Sequence, residues 1–328
     1  MSPLPSDDPA PTATETAPDL ATQTATQTPT ESFTAHRDLL FSVVYNMLGT
    51  VADTEDVLQE TWLAWAARSR AAGSEAIRNP RSYLVRIAAN RAIDHQAALS
   101  RRRETYVGPW LPEPLATPRV QAPASTGTGD AADAVLHAES VSMALLVVLE
   151  TLSPLERGVF VLHEVFGYTH TEIAGILDRS PSAVRQLAHR ARAHVDARRP
   201  RYEPDPAVRQ QVTERFLAAT LGGDVDALLE VLAPEVTLWG DGGGKGHPAA
   251  GLRTLHGRDE VVRTLVRNAR RFGSGLDIVY RSVNGDPSVL MCDGGTTRAV
   301  LVLDLLPGSD QVCGIYIVAN PAKLTHVV

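Results

Sequence analysis

The residues of this sequence best suited to chemistry are arginines, and they stand beside side chains that recognise bases, not beside nucleophiles. Between 78 and 103 there are seven arginines against the single acid Asp94, and between 181 and 201 six against Asp196. Guanidinium groups bind phosphate, and Arg and Gln bond the edges of guanine and adenine respectively. Asn, Ser and Tyr can bond or stack on unpaired bases. The first stretch offers Arg81, Ser82, Tyr83, Arg86, Asn90, Asp94, Arg101 and Arg102. The second offers Ser182, Arg185, Gln186, His189, Arg190 and Arg192, with Arg185 and Gln186 the best base readers. The net charge of −7 argues only weakly against nucleic acid, because residues 1–32 carry five acids and no base, leaving −2 for the remainder. Local basic faces decide whether a phosphate backbone is attracted.

Helices must position these groups. From Phe33 to about Arg103 the apolar period is helical. In Asp53–Trp65, Val57, Leu58, Thr61, Trp62 and Trp65 share one side, while Asp56, Gln59 and Glu60 form an acidic patch opposite. Such a patch suits a protein partner, and the plain alternative is a solvated face. Asn79 followed by Pro80 predicts the start of a helix to about Leu99. A linker at roughly 104–134, rich in Pro, Gly, Ser and Thr, is interrupted by Trp110-Leu-Pro-Glu-Pro114. A second helical block spans about 134–199. In it, Ser153-Pro-Leu-Glu156 and Thr169-His-Thr-Glu172 are capping boxes, and Ser180-Pro181 opens another helix. Val184, Leu187, Ala188, Ala191 and Val195 lie on one face of that helix, and Ser182, Arg185, Gln186 and His189 opposite. That is a helix-turn-helix with a recognition helix sized for the major groove, or else a structural hairpin.

Two strings carry a resemblance. Asp53-x-x-Asp56-x-x-Gln59-Glu60-x-Trp62, Asn79-Pro-Arg-Ser-Tyr-Leu84 and Ile87-Ala-x-Asn90-x-x-x-Asp94 resemble region 2 of the extracytoplasmic-function (ECF) sigma factors. Leu152-Ser-Pro-x-Glu156-Arg, Tyr168-x-x-x-Glu172-Ile-Ala and Ser182-x-Val184-Arg with His189-Arg-Ala-Arg192 resemble sigma region 4. The resemblance implies that Asp56, Gln59, Glu60 and nearby Trp62 dock on the clamp helices of core RNA polymerase. It implies that Arg81–Asp94 grips the minus-ten element of promoter DNA, and that the recognition helix reads the minus-thirty-five element.

After Tyr202-Glu-Pro-Asp-Pro206 the chain changes character. Helices are predicted at about 207–221, 224–232 and 258–272, then strands at Asp277–Val283, Val289–Cys292, Arg298–Leu303 and Val312–Val318. The expected fold is therefore multidomain: two all-α sigma modules and a C-terminal α+β domain resembling the SnoaL-like cone. The expected boundaries are a disordered tail at 1–32, region 2 at 33–103, a flexible linker at 104–134, region 4 at 135–201 and the extension at 204–328. Trp110-Leu111-Pro112-Glu113-Pro114, Asp241-Gly242-Gly243-Gly244-Lys245 and Asn320-Pro321-Ala322-Lys323-Leu324 resemble motifs of the SigJ-like ECF subgroup. Ala322 departs from the acid more usual there. The glycine-rich loop could cradle an anion or pack against the helical modules, but it lacks the spacing of a nucleotide-binding loop.

These features imply regulation in cis, with no obligate anti-sigma protein. The alternative is a DNA-binding regulator whose extension senses a small molecule, or keeps isomerase- or hydrolase-like activity through Asp241, His247, His256 and Asp277. No enzyme activity, cofactor or metal is expected. Cys292 and Cys313 read as small reduced residues, and the absence of a long apolar run points to a cytoplasmic chain that spans no membrane.

Overall fold

A computed structural model describes residues 28–70, 77–103, 106–116, 141–198, 205–244, 253–272 and 275–327. The N-terminal part is four helices: α1 (Pro29–Thr34), α2 (Arg37–Leu48), α3 (Val51–Arg70) and α4 (Pro80–Arg103). Local chemistry starts and stops them. Thr28 and Glu31 form a capping box on α1, Gly49 ends α2 at φ 76°, and Asn79 Oδ1 accepts from the Ser82 N–H at 3.1 Å. Leu40, Val43, Met47, Val57, Leu84 and Ala88 fill the core between α2, α3 and α4.

Region 141–198 adds α5 (Met143–Leu149), α6 (Pro154–Phe160), a π-helical turn at Val161–Val165, α7 (His170–Leu177) and α8 (Pro181–Arg198). Ser153–Glu156 and Thr169–Glu172 make both capping boxes that their spacing predicts. Asp178 sits in the left-handed region at φ 52°, turning α7 tightly into α8. Val159, Leu162, Ile173, Val184, Ala188 and Ala191 are buried in the same hydrophobic cluster as the α2–α4 residues. The two helical modules thus share one core.

The remainder contains α9 (Pro206–Gly222), α10 (Val225–Val231) and α11 (Arg258–Phe272). With them are β1 (Leu232–Asp241), β2 (Leu255–His256), β3 (Asp277–Val283), β4 (Asp286–Asp293), β5 (Thr296–Leu305) and β6 (Val312–Val318). The sheet order is β2-β1-β6-β5-β4-β3, with β1 and β6 parallel and the other neighbours antiparallel. Asn284-Gly285 and Gly294-Gly295 close the β3–β4 and β4–β5 hairpins with positive φ at both residues, as two-residue turns require. β1 runs to Asp241, and the two-residue β2 pairs along its edge.

The sheet is buried on both faces. Phe216, Leu228, Val261 and Leu265 of the helices pack on Leu301, Leu303, Ile315 and Ile317. Across the sheet, Val300, Val302, Tyr316 and Val318 pack on Leu111 of the linker and Met143 and Ala144 of α5. Successive strand residues point to opposite faces, so two-sided burial explains the unbroken apolar run of β5.

Candidate polymerase and nucleic-acid interfaces

On α3, Asp56, Gln59 and Glu60 are exposed, as the helical period predicts. Glu60 pairs with Arg91 of α4, an ion pair open to solvent on both sides. Trp62 belongs to the other face and packs on Phe33 at 5.3 Å between ring centroids. Leu63 is 60% exposed beside the acids, three residues after Glu60 and seven after Asp56. The helical period places it on the polar face, a signal the sequence reading passed over.

On α4, Arg81, Ser82, Arg86 and Asp94 are exposed, and Tyr83 leans on Trp65 at 5.9 Å. The helix runs on through Arg101 and Arg102, whose side chains lie outside the described residues. Asn90 takes a different direction. Its Nδ2 donates to Arg86 O at 2.8 Å and to Ile176 O, in α7, at 2.7 Å. One member of the basic stretch is therefore bonded to the helix-turn-helix. Capping by Thr169 holds the Glu172 carboxyl below its ordinary range, and Arg81 of α4 lowers it further.

On α8, Ser182, Arg185, Gln186 and His189 are exposed and aligned, while Val184, Ala188 and Ala191 are buried. The flanking arginines are tied back: Arg190 Nε donates to Glu156 at 2.8 Å, and Arg192 pairs with Glu164. Both modules are cross-braced by Arg157. It is fully buried, donates to Asn46 O of α2 at 3.1 Å and pairs with Glu150. Burial lowers its pKa to about 9, which leaves it charged at neutral pH.

The three short motifs meet at one place. Asp241, fully buried, accepts from the Tyr106 hydroxyl and the Gly243 N–H (3.1 Å) through Oδ1, and from Leu111 N–H (2.9 Å) and Lys323 Nζ (2.7 Å) through Oδ2. Lys323 also donates to Leu111 O and lies 4.0 Å above the Trp110 ring. Asn320 Nδ2 donates to the Tyr106 oxygen at 2.8 Å. Burial first, then the Asp241 carboxylate, pushes the Tyr106 phenol up, so it remains a donor. The latch joins linker, β1 and the C-terminal segment.

Farther along the linker, Glu113 Oε2 accepts from Val51 N–H at 2.8 Å, capping α3, and its own N–H donates to Gly49 O at 2.8 Å. Tyr45 of α2 donates to Glu113 O at 2.6 Å and accepts from Asn284 Nδ2 at 2.7 Å. Asn284 also exchanges bonds with Leu115, whose N–H reaches its Oδ1 at 3.2 Å and whose carbonyl accepts its N–H at 2.9 Å. Residues 111–114 are buried. The expected flexible linker is extended and pinned over 106–116, because the hydrogen-bonding groups of this segment find partners on two modules at once.

At the glycine-rich loop, side chains of this chain stand where an added Cβ would go. A Cβ on Gly243 would lie 2.5–2.7 Å from the Asn320 amide, and one on Gly244 3.0 Å from Val107. Here the glycines permit side chains of this same chain to approach. Lys245 and His247 lie outside the described residues. The described members of the acid–base set do not come together: Asp241 is in the latch, His256 is exposed near Thr237, and Asp277 is exposed on β3. Among the described residues no group of three His, Cys, Asp or Glu could hold a metal ion, and no helix is long and apolar enough to cross a membrane.

Comparison with known proteins decides the family. The sigma-70 region 2 model matches residues 33–102 and the sigma-70 region 4 model residues 142–195. The ECF RNA polymerase sigma factor SigJ of Mycobacterium tuberculosis is 37% identical over 302 residues, covering 89% of this chain and 92% of that protein. This chain is an ECF sigma factor. A probable ECF sigma factor of the same species, SigI, is 33% identical over 293 residues, covering 89% and 93%. The crystal structure of M. tuberculosis SigJ superposes with a TM-score of 0.69 at 34% identity, covering 90% of this chain and 98% of that one. Sigma factors direct transcription initiation by binding core RNA polymerase and promoter DNA, and are not enzymes. The observed architecture is a region 2 module, a region 4 helix-turn-helix module and a mixed six-stranded sheet with helices.

Proposed function

We propose that this ECF sigma factor is held in cis in a closed arrangement by its C-terminal α+β domain, and that initiation requires the arrangement to open. In this reading the modules are region 2 (33–103), a linker (104–134), region 4 (135–201) and a regulatory extension (204–328). Asp56, Gln59, Glu60 and exposed Leu63 form the polymerase face. Arg81, Ser82, Tyr83, Arg86, Asn90, Asp94, Arg101 and Arg102 serve the minus-ten element. Ser182, Arg185, Gln186 and His189 read the minus-thirty-five element, with Arg190 and Arg192 on its phosphates.

The observation that carries the closed reading is the bond from Asn90 of α4 to Ile176 of α7, inside a core common to both modules. Minus-ten and minus-thirty-five elements lie about 25 base pairs apart, roughly 85 Å along B-form DNA at 3.4 Å per step. A single body of about 170 residues is roughly 40 Å across. Modules packed this closely cannot occupy both elements together. The linker supports the assignment of control to the extension, since it is bonded to region 2 through Glu113 and to the extension through Asp241 and Asn284. A chain that closes on itself in this way needs no separate anti-sigma protein.

The test is a fluorescence distance between labels at the exposed Ala67 and Ala197. The distance should be short in the free protein and lengthen when core polymerase and promoter DNA are added. An unchanged distance in a complex that transcribes would refute the closed reading. Deleting 204–328 should alter promoter-dependent transcription, and unaltered output would remove the extension's regulatory role.

A further inference from the structure

The helix-facing side of the sheet holds a cavity of about 110 Å³ between α9, α11 and strands β3 to β6. Its walls are mainly apolar, with Phe216, Leu265, Ile278, Met291, Leu301 and Ile317 among them and Thr220 and Asn268 as polar members. A cavity of about 150 Å³ with apolar walls stays dry and accepts benzene, so this one fits a single small ring or a short branched chain. Its mouth is marked by exposed residues: Leu221 is 46% exposed, and the Arg298 side chain 51%. Among the described residues no carboxylate lines it, and the one charged lining group is Arg298. Arg298 gives one N–H to Asp293 at 3.0 Å in a solvent-exposed pair. Exposed pairs of this kind are worth at most about 1 kcal/mol, and a guanidinium carries five N–H donors. A ligand carboxylate at the mouth can therefore share or take this partner.

We infer that this cavity binds a small monoanion with an apolar body, such as an aryl or short branched-alkyl carboxylate, and that its occupancy is transmitted to the linker latch. The transmission rests on the closed reading above and on the thinness of the sheet. Ala299, Leu301, Ile317 and Ala319 line the cavity. Their strand neighbours Val300, Val302 and Val318 face the linker and α5 on the other side. Ala319 donates its N–H to Asp241 O at 2.8 Å, and the next residue, Asn320, holds the Tyr106 hydroxyl. One strand thus touches both the bound molecule and the latch. A ligand can shift such an equilibrium only through different affinities for its two states, and a floor shared with the latch supplies the difference.

The experiment uses the full chain with benzoate, benzyl alcohol and benzylamine as probes, followed by saturation-transfer NMR and titration calorimetry. Benzoate should bind more tightly than either companion. Arg298→Gln, at an exposed position, should weaken benzoate at least tenfold and leave benzyl alcohol within about twofold. Ala269→Phe, which fills the cavity from α11, should abolish binding of both. Hydrogen exchange at 106–116 should change when benzoate is added to the wild type and stay unchanged in Ala269→Phe. Absence of benzoate binding, or binding insensitive to Ala269→Phe, overturns the site. Binding with unaltered exchange at 106–116 overturns the transmission. Failure of the closed reading itself appears separately, in the label distance, which needs no ligand.

Discussion

Asp241 and Lys323 are the two charged members of the latch, and removing them one at a time should have unequal effects. In Asp241→Ala the Lys323 ammonium, only 7% exposed, keeps Leu111 O and the Trp110 ring but loses its counter-ion. Breaking a buried ion pair this way costs about 3–5 kcal/mol. In Lys323→Ala the Asp241 carboxylate keeps three donors, from Tyr106, Leu111 and Gly243. The cost should then be nearer 1.5–3 kcal/mol, typical of one hydrogen bond to a charged group. At 1.36 kcal/mol per decade, Asp241→Ala shifts opening of the linker by between about a hundredfold and a few thousandfold. Native-state hydrogen exchange reads this at the Glu113 amide, whose bond goes to Gly49 O and to neither substituted side chain. The double variant should cost less than the sum of the singles. Equal or greater loss from Lys323→Ala, or unchanged Glu113 protection in both variants, would refute the ion-pair account of the latch.

Three further outcomes are expected. Burial raises the Glu113 pKa, so the folded chain holds this proton more tightly than the unfolded one; its contribution is full below the ordinary carboxylate range and is lost as pH rises through the raised value. Glu113→Gln removes that dependence, so the wild type's Tm relative to the variant should fall between pH 4 and pH 7; a constant difference would contradict this. Glu60→Arg should leave the melting temperature nearly unchanged, because its partner Arg91 is exposed, yet weaken core polymerase binding in a pull-down; unaltered binding would remove Glu60 from the polymerase face. Arg185→Ala should cost about 1–3 kcal/mol at the specific promoter and less on random DNA, measured by fluorescence anisotropy. A uniform loss would make Arg185 a phosphate contact.

What was legible in the sequence is what depends on near neighbours. Asn79, Ser153 with Glu156, and Thr169 with Glu172 start helices by bonding three residues ahead, so their spacing alone places the helix ends. The faces of α3 and α8 follow from a 3.6-residue period. The two-sided burial of β5 is foreshadowed by its unbroken apolar run. The latch was not legible as geometry. Tyr106, Asp241, Asn320 and Lys323 are each an ordinary surface residue type, and only the parallel pairing of β1 with β6 brings Asp241 beside Lys323. Asn90 shows the same limit: its type suits a base edge, while its partner in this arrangement is a carbonyl 86 positions away. The glycines at 243 and 244 announce a close approach without saying what approaches.

The parallel pairing of β1 with β6 also has a consequence in time. The first and last long strands of the sheet are neighbours, and Lys323 follows both of them along the chain. During synthesis the two DNA-reading modules leave the ribosome some 125 residues before Lys323, a delay on the order of ten seconds at bacterial translation rates. Each newborn molecule therefore passes through an interval in which both readers are complete and the latch has not been made. On the closed reading proposed above, with the latch holding that arrangement, polymerase nearby in that interval would meet an unlocked factor, and the rate of synthesis would then help to set how much of the protein is competent for capture.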